Sequence, residues 1–314
     1  MTVLLHLNGV DEAAWAARLQ PLLDGVSVVT RADSYDPAAI EYVLVWRPAA
    51  GAFDGLVNLK AILSYGAGVD ALLDHDGLPP DVPIVRYVDP DLTQRMRDYV
   101  LAEVLAHSRL ETRFRAAQRR KSWQEAVPPR AEDLNVGVLG LGVLGQAVLK
   151  ALAAFDYERF GWSRSANVVA GVRTFSGQDG LDALLKRTDI LVCLLPLTPD
   201  TRGILNRETF RKLRHGVLPG GPVVVNAARG GHQVEADLVA ALTDGTLGAA
   251  SLDVFAKEPL PETSPLWELE NCRITPHIAA VSDPQAGALY FAKVIRDHAA
   301  GLPLRNLVDR ARGY

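Results

Sequence analysis

The sequence predicts an α/β fold in which parallel strands alternate with helices and form two domains. Short apolar runs alternate with stretches whose apolar residues have helical spacing, and this alternation is typical of parallel sheets covered on both faces. The chain has 314 residues, of which 48% are hydrophobic and 22% charged, so it is long enough to bury two cores.

The first part of the chain alternates between strand and helix patterns up to residue 64. Four apolar runs predict strands at residues 3–7, 26–29, 42–46 and 61–64. Helical spacing predicts a helix over residues 12–23 and a helix end at residues 56–60. These elements form the sheet and the covering layer of the first domain.

A glycine-rich turn follows the last of these strands and consists of Tyr65, Gly66, Ala67 and Gly68. Amides between small residues can bind an anion at the carboxyl end of a parallel strand, so we expect a carboxylate site here. A purely structural turn is the alternative. Trp46 and Arg47 end an earlier strand, where Arg47 could reach the same anion and Trp46 could cover it. A surface arginine beside a half-buried tryptophan is the other interpretation.

The overall charge and the cysteines exclude several classes of protein. A formal net charge of -4 argues against a general nucleic-acid or membrane-surface binder, because phosphate contacts need a dense basic field. Two cysteines make neither a disulfide framework nor a metal cluster, so we expect no metal. The sequence has neither a secretory leader pattern nor an apolar span long enough for a bilayer, and we expect a cytoplasmic protein.

A long helix is predicted at residues 93–118. It is followed by a strand, a glycine-rich turn and a second helix. The apolar strand breaks at Gly140 and the helix resumes at residue 146, which gives the spacing Gly-x-Gly-x-x-Gly. In such a turn the glycines allow the reversal, the approach of a pyrophosphate and close helix packing. The pattern predicts a Rossmann-like, dinucleotide-binding domain, with a bare structural turn as the alternative. The candidate cofactor contacts are Gly140, Gly142, Val143, Leu144 and Gly145.

The next predicted strand, at residues 158–162, ends in Ser163, Arg164 and Ser165. At this distance from the glycine turn, about twenty residues, an NAD-binding protein presents an acidic side chain to the ribose hydroxyl. Here an arginine flanked by two hydroxyl groups stands instead, and a guanidinium suits a 2′-phosphate. The sequence therefore predicts NADPH in preference to NADH. An exposed loop arginine without influence on the cofactor is the alternative.

Three later apolar strands, at residues 190–195, 222–225 and 249–252, each stop at polar or glycine-rich points. Because carboxyl ends of parallel strands share one edge of a sheet, these points predict a cofactor crevice. The candidate residues of this crevice are Leu195, Pro196, Thr201, Ala227, Ala228, Arg229 and Asp253.

Six motifs in a fixed order carry a resemblance to a known family. They are the glycine turn, Leu-Leu-Pro-Leu-Thr198, Asn-Ala-Ala-Arg229-Gly, Leu-Asp253-Val-Phe, Glu258-Pro-Leu-Pro and Thr-Pro-His277-Ile-Ala-Ala. Over residues 65–280 the chain resembles the D-2-hydroxyacid dehydrogenases. Trp46, the turn at residues 65–70 and Trp162-Ser-Arg-Ser165 look most like the glyoxylate/hydroxypyruvate reductase A branch. The resemblance implies NADPH-dependent reduction of glyoxylate or hydroxypyruvate to the D-2-hydroxy acid. It also implies a homodimer formed through the cofactor domain, with residues 99–113 and Trp123 at the contact.

The resemblance implies a catalytic triad of Arg229, Glu258 and His277. Imidazole titrates near neutral pH, which suits a proton donor, so His277 would protonate the carbonyl oxygen and also lie near the cofactor. Glu258 would orient the imidazole, and Arg229 would pair with the substrate carboxylate and polarise the carbonyl. Asp253 would lie near the nicotinamide, with a strand-end cap as the alternative. Gln233 departs from the family, which usually has an apolar residue there, and this puts the packing of the local loop in question.

The predicted division is a discontinuous substrate-binding domain, residues 1–96 and 280–314, around a dinucleotide-binding domain, residues 97–279. We expect the substrate between them and closure on binding. Two other functions stay open. One is a D-2-hydroxyacid dehydrogenase for a larger 2-oxo acid such as phenylpyruvate, and the other is a non-catalytic NAD(P)-sensing protein of the same fold.

Overall fold

The structure is a computed structural model that describes residues 1–66 and 68–313. Its strands, in chain order, are β1 (Thr2–Leu7), β2 (Ser27–Thr30), β3 (Ile40–Trp46), β4 (Ala61–Ser64), β5 (Ile84–Arg86), β6 (Asn135–Leu139), β7 (Glu158–Ser163), β8 (Arg173–Ser176), β9 (Ile190–Cys193), β10 (Val223–Asn226), β11 (Ala249–Leu252) and β12 (Cys272–Ile274). Its α-helices are α1 (Glu12–Leu19), α2 (Asp70–Leu73), α3 (Pro90–Ser108), α4 (Glu111–Arg119), α5 (Val143–Leu152), α6 (Gly177–Leu185), α7 (Arg207–Lys212), α8 (Glu235–Asp244) and α9 (Pro284–Ala299). Within the described residues, none of the helices combines the length and apolar character needed to span a membrane.

The chain folds as two compact units. The first unit consists of Met1–Leu92 and Ser282–Tyr314, and the second of Thr93–Val281. The division falls inside α3, which therefore contributes residues to both units. The assignment of one unit to the substrate and the other to the dinucleotide stays a prediction.

The first unit is built on a parallel sheet with the strand order β2-β1-β3-β4-β5. Its strands are apolar because both faces are covered: Leu4 and Leu5 are neighbours on β1 with side chains on opposite faces, and both are almost completely buried. The prediction of a helix end at residues 56–60 is wrong, since this segment is a series of turns. Leu56 packs into the core there, whereas Val57 is 77% exposed, so no helical face exists.

The second unit is built on a parallel sheet with the strand order β12-β11-β10-β9-β6-β7-β8. Strand β6 has β7 on one side and β9 on the other, so the direction in which the chain adds strands reverses at β6. In open α/β sheets the carboxyl ends at such a reversal form a crevice for ligands. The predicted fold class, α/β with two Rossmann-like parallel sheets, is confirmed.

Helices cover both faces of this second sheet. Val100 of α3 and Val148 of α5 pack on one face, and Leu184, Phe210 and Leu238 from α6, α7 and α8 pack on the other. Burial on both faces explains why β9 and β10 read as continuous apolar runs. The sheet is therefore a rigid frame for the loops at its carboxyl edge.

The long helix predicted at residues 93–118 is two helices, α3 and α4. The break lies at Leu110, whose backbone has a left-handed φ of 60°. This conformation is uncommon for a residue with a side chain, and here the leucine side chain is buried in the core beside α3. Neither glycine nor proline marks the break in the sequence, so helical spacing alone could not predict it.

Candidate active site

The three predicted catalytic residues follow three adjacent strands of the second sheet. Arg229 follows β10, Glu258 follows β11 and His277 follows β12, and these strands are paired in parallel in that order. Parallel strands place their carboxyl ends on one edge, so the topology brings the three loops to the same side of the sheet.

His277 and Glu258 form a direct pair. Nδ1 of His277 lies 2.8 Å from Oε2 of Glu258, while Oε1 of Glu258 accepts a hydrogen bond from the Phe255 amide at 3.1 Å. An ionised carboxylate only accepts hydrogen bonds, so Nδ1 carries a proton and Nε2 is the nitrogen directed to other partners. The His277 side chain is 40% exposed, which makes it accessible to a small molecule.

The backbone around His277 is held by Asp253. His277 has a left-handed φ of 57°, and the carboxylate of Asp253 accepts the amides of Ile278 and Ala279 at 2.8 and 2.9 Å. The Thr275 hydroxyl donates a third hydrogen bond to the same carboxylate at 2.6 Å. Asp253 is only 1% exposed, so the observed contacts are those of a cap at the end of a strand.

A buried amide network fixes the loop that carries Arg229. Asn226 donates to the Arg229 carbonyl at 3.0 Å and to Oε1 of Gln233 at 2.9 Å, and it accepts the Ala228 amide at 3.1 Å. Gln233 in turn donates to the Val254 carbonyl at 3.1 Å. The glutamine that departs from the family pattern therefore joins the loop after β10 to the loop after β11.

His232 lies beside this network and is completely buried. Its Nδ1 lies 3.2 Å from the Arg229 carbonyl oxygen and its Nε2 lies 3.3 Å from the Pro196 carbonyl oxygen. Burial alone would lower the pKa of the His232 imidazole, but Cys193 and the two carbonyl oxygens outweigh burial and raise that pKa. His232 thus links the loops after β9 and β10.

The three glycines of the turn between β6 and α5 have different steric roles. Gly140 has a φ of +107°, which only glycine adopts readily. A Cβ on Gly145 would lie 1.8 Å from the Gly140 carbonyl oxygen, whereas a Cβ on Gly142 would meet no protein atom within 4 Å. The first turn of α5, which contains Val143 and Leu144, has no acidic residue. The turn thus leaves open space at a helix N-terminus that favours anions.

The loop after β7 lies next to the glycine turn, because the Gly140 amide donates to the carbonyl of Trp162 at 2.8 Å. Ser163 donates from its hydroxyl to the Ser165 carbonyl at 2.8 Å, which folds the loop back on itself. Arg164 is exposed and forms an ion pair of 3.1 Å with Asp200. The guanidinium is therefore presented at the same edge as the glycine turn.

Thr201, one of the predicted crevice residues, stabilises the loop after β9. The Thr201 hydroxyl donates to the Pro196 carbonyl at 2.7 Å and accepts the Thr198 amide at 2.9 Å. Four predicted residues of the loops after β9 and β10 are buried or half-buried: Leu195, Pro196, Ala227 and Ala228.

In the first unit the structure brings Trp46, Arg47 and the turn after β4 together. A Cβ on Gly66 would lie 2.4 Å from the Trp46 ring, so the tryptophan packs directly on the glycine. The guanidinium carbon of Arg47 lies 5.5 Å from the centroid of the same ring, within the range of a cation–π contact. Arg47 is exposed and Trp46 is half-buried, as in the alternative interpretation, and their expected contacts with an anion stay predictions.

Tyr65 is a buried member of an aromatic cluster. Its hydroxyl donates to the Ser282 carbonyl at 3.0 Å, and burial raises the pKa of the Tyr65 phenol to about 12. The side chain is thus used inside the first unit, and the Tyr65 amide donates to the Val45 carbonyl at 3.0 Å. Gly68 is half-buried, and Ala67 lies outside the described residues.

Comparison with known proteins identifies the family. The family model of the D-isomer specific 2-hydroxyacid dehydrogenases, NAD binding domain, matches residues 101–279. A glyoxylate/hydroxypyruvate reductase A of Yersinia enterocolitica is 38% identical over 320 residues, which cover 100% of both chains. The chain belongs to the D-isomer specific 2-hydroxyacid dehydrogenase family. The family resemblance seen in the sequence is therefore confirmed.

Two solved structures of this family are also similar along their whole length. One is an NADPH-dependent glyoxylate/hydroxypyruvate reductase of Sinorhizobium meliloti in complex with NADP and sulfate, 44% identical, with a TM-score of 0.93. The other is a probable 2-hydroxyacid dehydrogenase of Rhizobium etli in complex with NADP, HEPES and L(+)-tartaric acid, with the same identity of 44% and the same TM-score of 0.93. Both comparisons cover 100% of this chain and 99% of the other.

The contacts of three side chains of the site were not predicted from the sequence. Thr275 lies two positions before His277 but has no charge or ring to suggest a role. His232 was not among the predicted site residues, and only the structure shows its two carbonyl partners. Gln233 put the packing of the local loop in question as a polar residue at a usually apolar position, and the structure shows its hydrogen bonds to Asn226 and Val254.

Proposed function

We propose that this family member reduces a small 2-oxo acid, of the size of glyoxylate or hydroxypyruvate, to the D-2-hydroxy acid with NADPH. The observation that carries the proposal is the 2.8 Å pair of His277 and Glu258, on the sheet edge that also bears Arg229. Relatives named as glyoxylate/hydroxypyruvate reductases support the substrate class, and the one from Sinorhizobium meliloti is described as NADPH-dependent.

The glycine turn fits the pyrophosphate of a dinucleotide. Open space at Gly142 allows a phosphate to approach the backbone, and the amides at the start of α5 carry partial positive charge. Gly145 packs α5 against the turn so closely that the amides are held in place. NADPH, when bound, supplies the hydride for the reaction.

Arg164 is the residue that would hold the 2′-phosphate, with the hydroxyl groups of Ser163 and Ser165 beside it. The exposed ion pair of Arg164 with Asp200 contributes little, about 0–1 kcal/mol for pairs of this kind. A phosphate dianion offers the guanidinium stronger, charge-assisted hydrogen bonds, so it can replace that carboxylate.

His277 is the proposed proton donor to the carbonyl oxygen of the substrate. Glu258 holds Nδ1, orients the ring and stabilises the imidazolium form, so that Nε2 delivers the proton. Arg229 provides a fixed positive charge that pairs with the substrate carboxylate and stabilises the charge developing on the oxygen. In the first unit, the turn at Tyr65 and Gly66 is proposed as a further carboxylate contact.

We also propose that the protein is a homodimer formed through the second unit. Trp123 is 93% exposed and Val127 is 91% exposed, and both lie in the segment 122–130, which has no regular secondary structure. Large apolar side chains exposed together are typical of interaction sites. The cytoplasmic location inferred from the sequence stays a prediction.

The experiment that tests the function is steady-state oxidation of NADPH, followed at the nicotinamide absorbance. Glyoxylate, hydroxypyruvate, pyruvate and phenylpyruvate are compared as substrates, and NADH is the paired cofactor control. We expect the highest kcat/KM with glyoxylate or hydroxypyruvate and NADPH. His277→Ala should lower kcat by about 100-fold or more while NADPH binding is unchanged, because general acid catalysis contributes about that much.

His215→Ala is the matched control, since His215 is an exposed histidine outside the site. Normal turnover in His277→Ala would contradict the acid role. A clear preference for phenylpyruvate would assign the chain to the branch acting on larger substrates. Tight NADPH binding without turnover of any 2-oxo acid would instead indicate an NAD(P)-sensing protein.

A further inference from the structure

A chain of hydrogen bonds leads from the middle of α3 to the turn that carries His277. The hydroxyl oxygen of Tyr99 lies 2.8 Å from Oγ1 of Thr275, and Oγ1 of Thr275 lies 2.6 Å from Oδ1 of Asp253. The carboxylate can only accept, so the single hydroxyl proton of Thr275 goes to Asp253. Tyr99 must therefore be the donor to Thr275.

Donation from Tyr99 to Thr275 requires a protonated phenol. Burial raises the pKa of the Tyr99 hydroxyl above its usual value, so the group keeps its proton at neutral pH. Hydrogen bonds that run in one direction polarise one another, which strengthens the chain as a whole.

These hydrogen bonds connect Asp253 to residues on both sides of His277. Asp253 receives Thr275 from before the histidine and the amides of Ile278 and Ala279 from after it. His277 itself has a left-handed φ of 57°, a conformation that persists in a non-glycine residue only when its surroundings hold it. Glu258 orients the ring, whereas Asp253 holds the peptide that carries the ring.

We propose that Tyr99 and Thr275 are positioning residues for His277, which act by fixing the Asp253 carboxylate that holds the backbone of the His277 turn. The proposal rests on the proposed function of His277 as proton donor. It gives Tyr99, and with it α3, a role in the reaction that is exerted through hydrogen bonds.

The hydroxyl of Tyr99 can be removed without releasing α3 from the sheet. Glu103, one turn further along α3, forms a separate ion pair with Arg273 of β12, with Nε 2.8 Å from Oε2. His107, at the end of α3, contacts the Ser251 hydroxyl of β11 at 2.7 Å. Tyr99→Phe is therefore a local change.

Steady-state kinetics of Tyr99→Phe and Tyr157→Phe test the proposal. Tyr157 is the matched control because its hydroxyl contacts Ser108, at the far end of the same helix, at 2.9 Å. We expect Tyr99→Phe to lower kcat about 5- to 10-fold, the equivalent of one net hydrogen bond, with the KM values for the 2-oxo acid and NADPH changed less than about 2-fold. Tyr157→Phe should leave kcat within about 2-fold of wild type.

Thr275→Val and Thr275→Ser test whether Tyr99 acts through Thr275. Thr275→Val should lower kcat at least as much as Tyr99→Phe, and Thr275→Ser, which keeps the hydroxyl, should restore most of it. In the Thr275→Val background, Tyr99→Phe should have no further effect on kcat, because residues that act through one another are not additive. Equal effects of Tyr99→Phe and Tyr157→Phe, or additive effects of Tyr99→Phe and Thr275→Val, would overturn the proposal.

His277→Ala separates this proposal from the proposed function. If His277→Ala loses activity while Tyr99→Phe does not, the function stands and the positioning role is wrong. If His277→Ala keeps full activity, the proton-donor role itself is wrong and the positioning role falls with it.

Discussion

Gly142→Ala should separate cofactor binding from folding. A Cβ on Gly142 would meet no protein atom within 4 Å, and its φ of -76° is one that alanine adopts without strain. The added methyl group would nevertheless stand in the open space before α5, where the pyrophosphate is proposed to bind. The substitution therefore changes the proposed pyrophosphate site and leaves the packing of the fold unchanged.

The expected loss follows from the contacts that the methyl group would block. A hydrogen bond between a backbone amide and a charged phosphate contributes about 1.5–3 kcal/mol, which corresponds to about a 10- to 150-fold rise in the Kd for NADPH. The effect on stability should be small. Gly142 is the N-cap of α5, and alanine at an N-cap costs about 1 kcal/mol relative to good capping residues.

Isothermal titration with NADPH and thermal unfolding of the same preparation measure the two effects. Gly145→Ala is the contrasting variant, because its Cβ would lie 1.8 Å from the Gly140 carbonyl oxygen and must displace the turn or α5. We expect Gly145→Ala to lower Tm strongly and Gly142→Ala to lower it little. An unchanged Kd in a well-folded Gly142→Ala protein would refute the assignment of this turn to the pyrophosphate.

Two further predictions concern the cofactor preference and the pH dependence of stability. Arg164→Asp should lower the ratio of kcat/KM for NADPH over NADH about 10- to 100-fold, through loss of charge-assisted hydrogen bonds, and Asp200→Asn should raise it about 2- to 5-fold. An unchanged ratio in both variants would exclude Arg164 as the phosphate contact. Burial lowers the pKa of His107 from 6.5 to about 4, so as the pH falls the unfolded chain binds the proton first and stability decreases between these values. Urea unfolding of the wild-type protein should show that the free energy of unfolding falls by about 2 kcal/mol between pH 7.5 and pH 5, and this fall should be absent in His107→Gln. Equal falls in both proteins would contradict a lowered pKa of His107 as the cause.

The fold could be predicted where the signal is local. Continuous apolar runs such as β9 and β10 predict buried parallel strands, and the structure has them. Sequence patterns failed at residues 56–60, where the secondary structure depends on which side chains the rest of the fold covers. Leu56 has the apolar character of a helix residue, but only its own side chain is covered and Val57 faces solvent. The strands β5 and β12 have three residues each, too few for a recognisable pattern.

The site could be predicted in its residue types and in the order of its motifs. Glycines with distinct steric roles leave a spacing in the sequence, and the pair of His277 and Glu258 was implied by the resemblance to a known family. The contact between Tyr99 and Thr275 leaves no such trace. They are 176 positions apart, and only the parallel sheet and α3 bring their hydroxyl groups to 2.8 Å.

Asp253 shows why a motif does not by itself decide the role of a residue. An aspartate at the end of a strand suits a contact with the nicotinamide and suits a cap equally well, and its carboxylate here accepts three hydrogen bonds from the turn around His277. Two carboxylates thus act on one histidine, Glu258 on the ring and Asp253 on the peptide. Loss of Glu258 should impair the stabilisation of the imidazolium, whereas loss of the Asp253 contacts should misplace a ring that still carries its proton. If His277 is the proton donor, as proposed, the chemical step depends on both carboxylates, and the kinetics of Tyr99→Phe measure the contribution of Asp253 without changing Glu258.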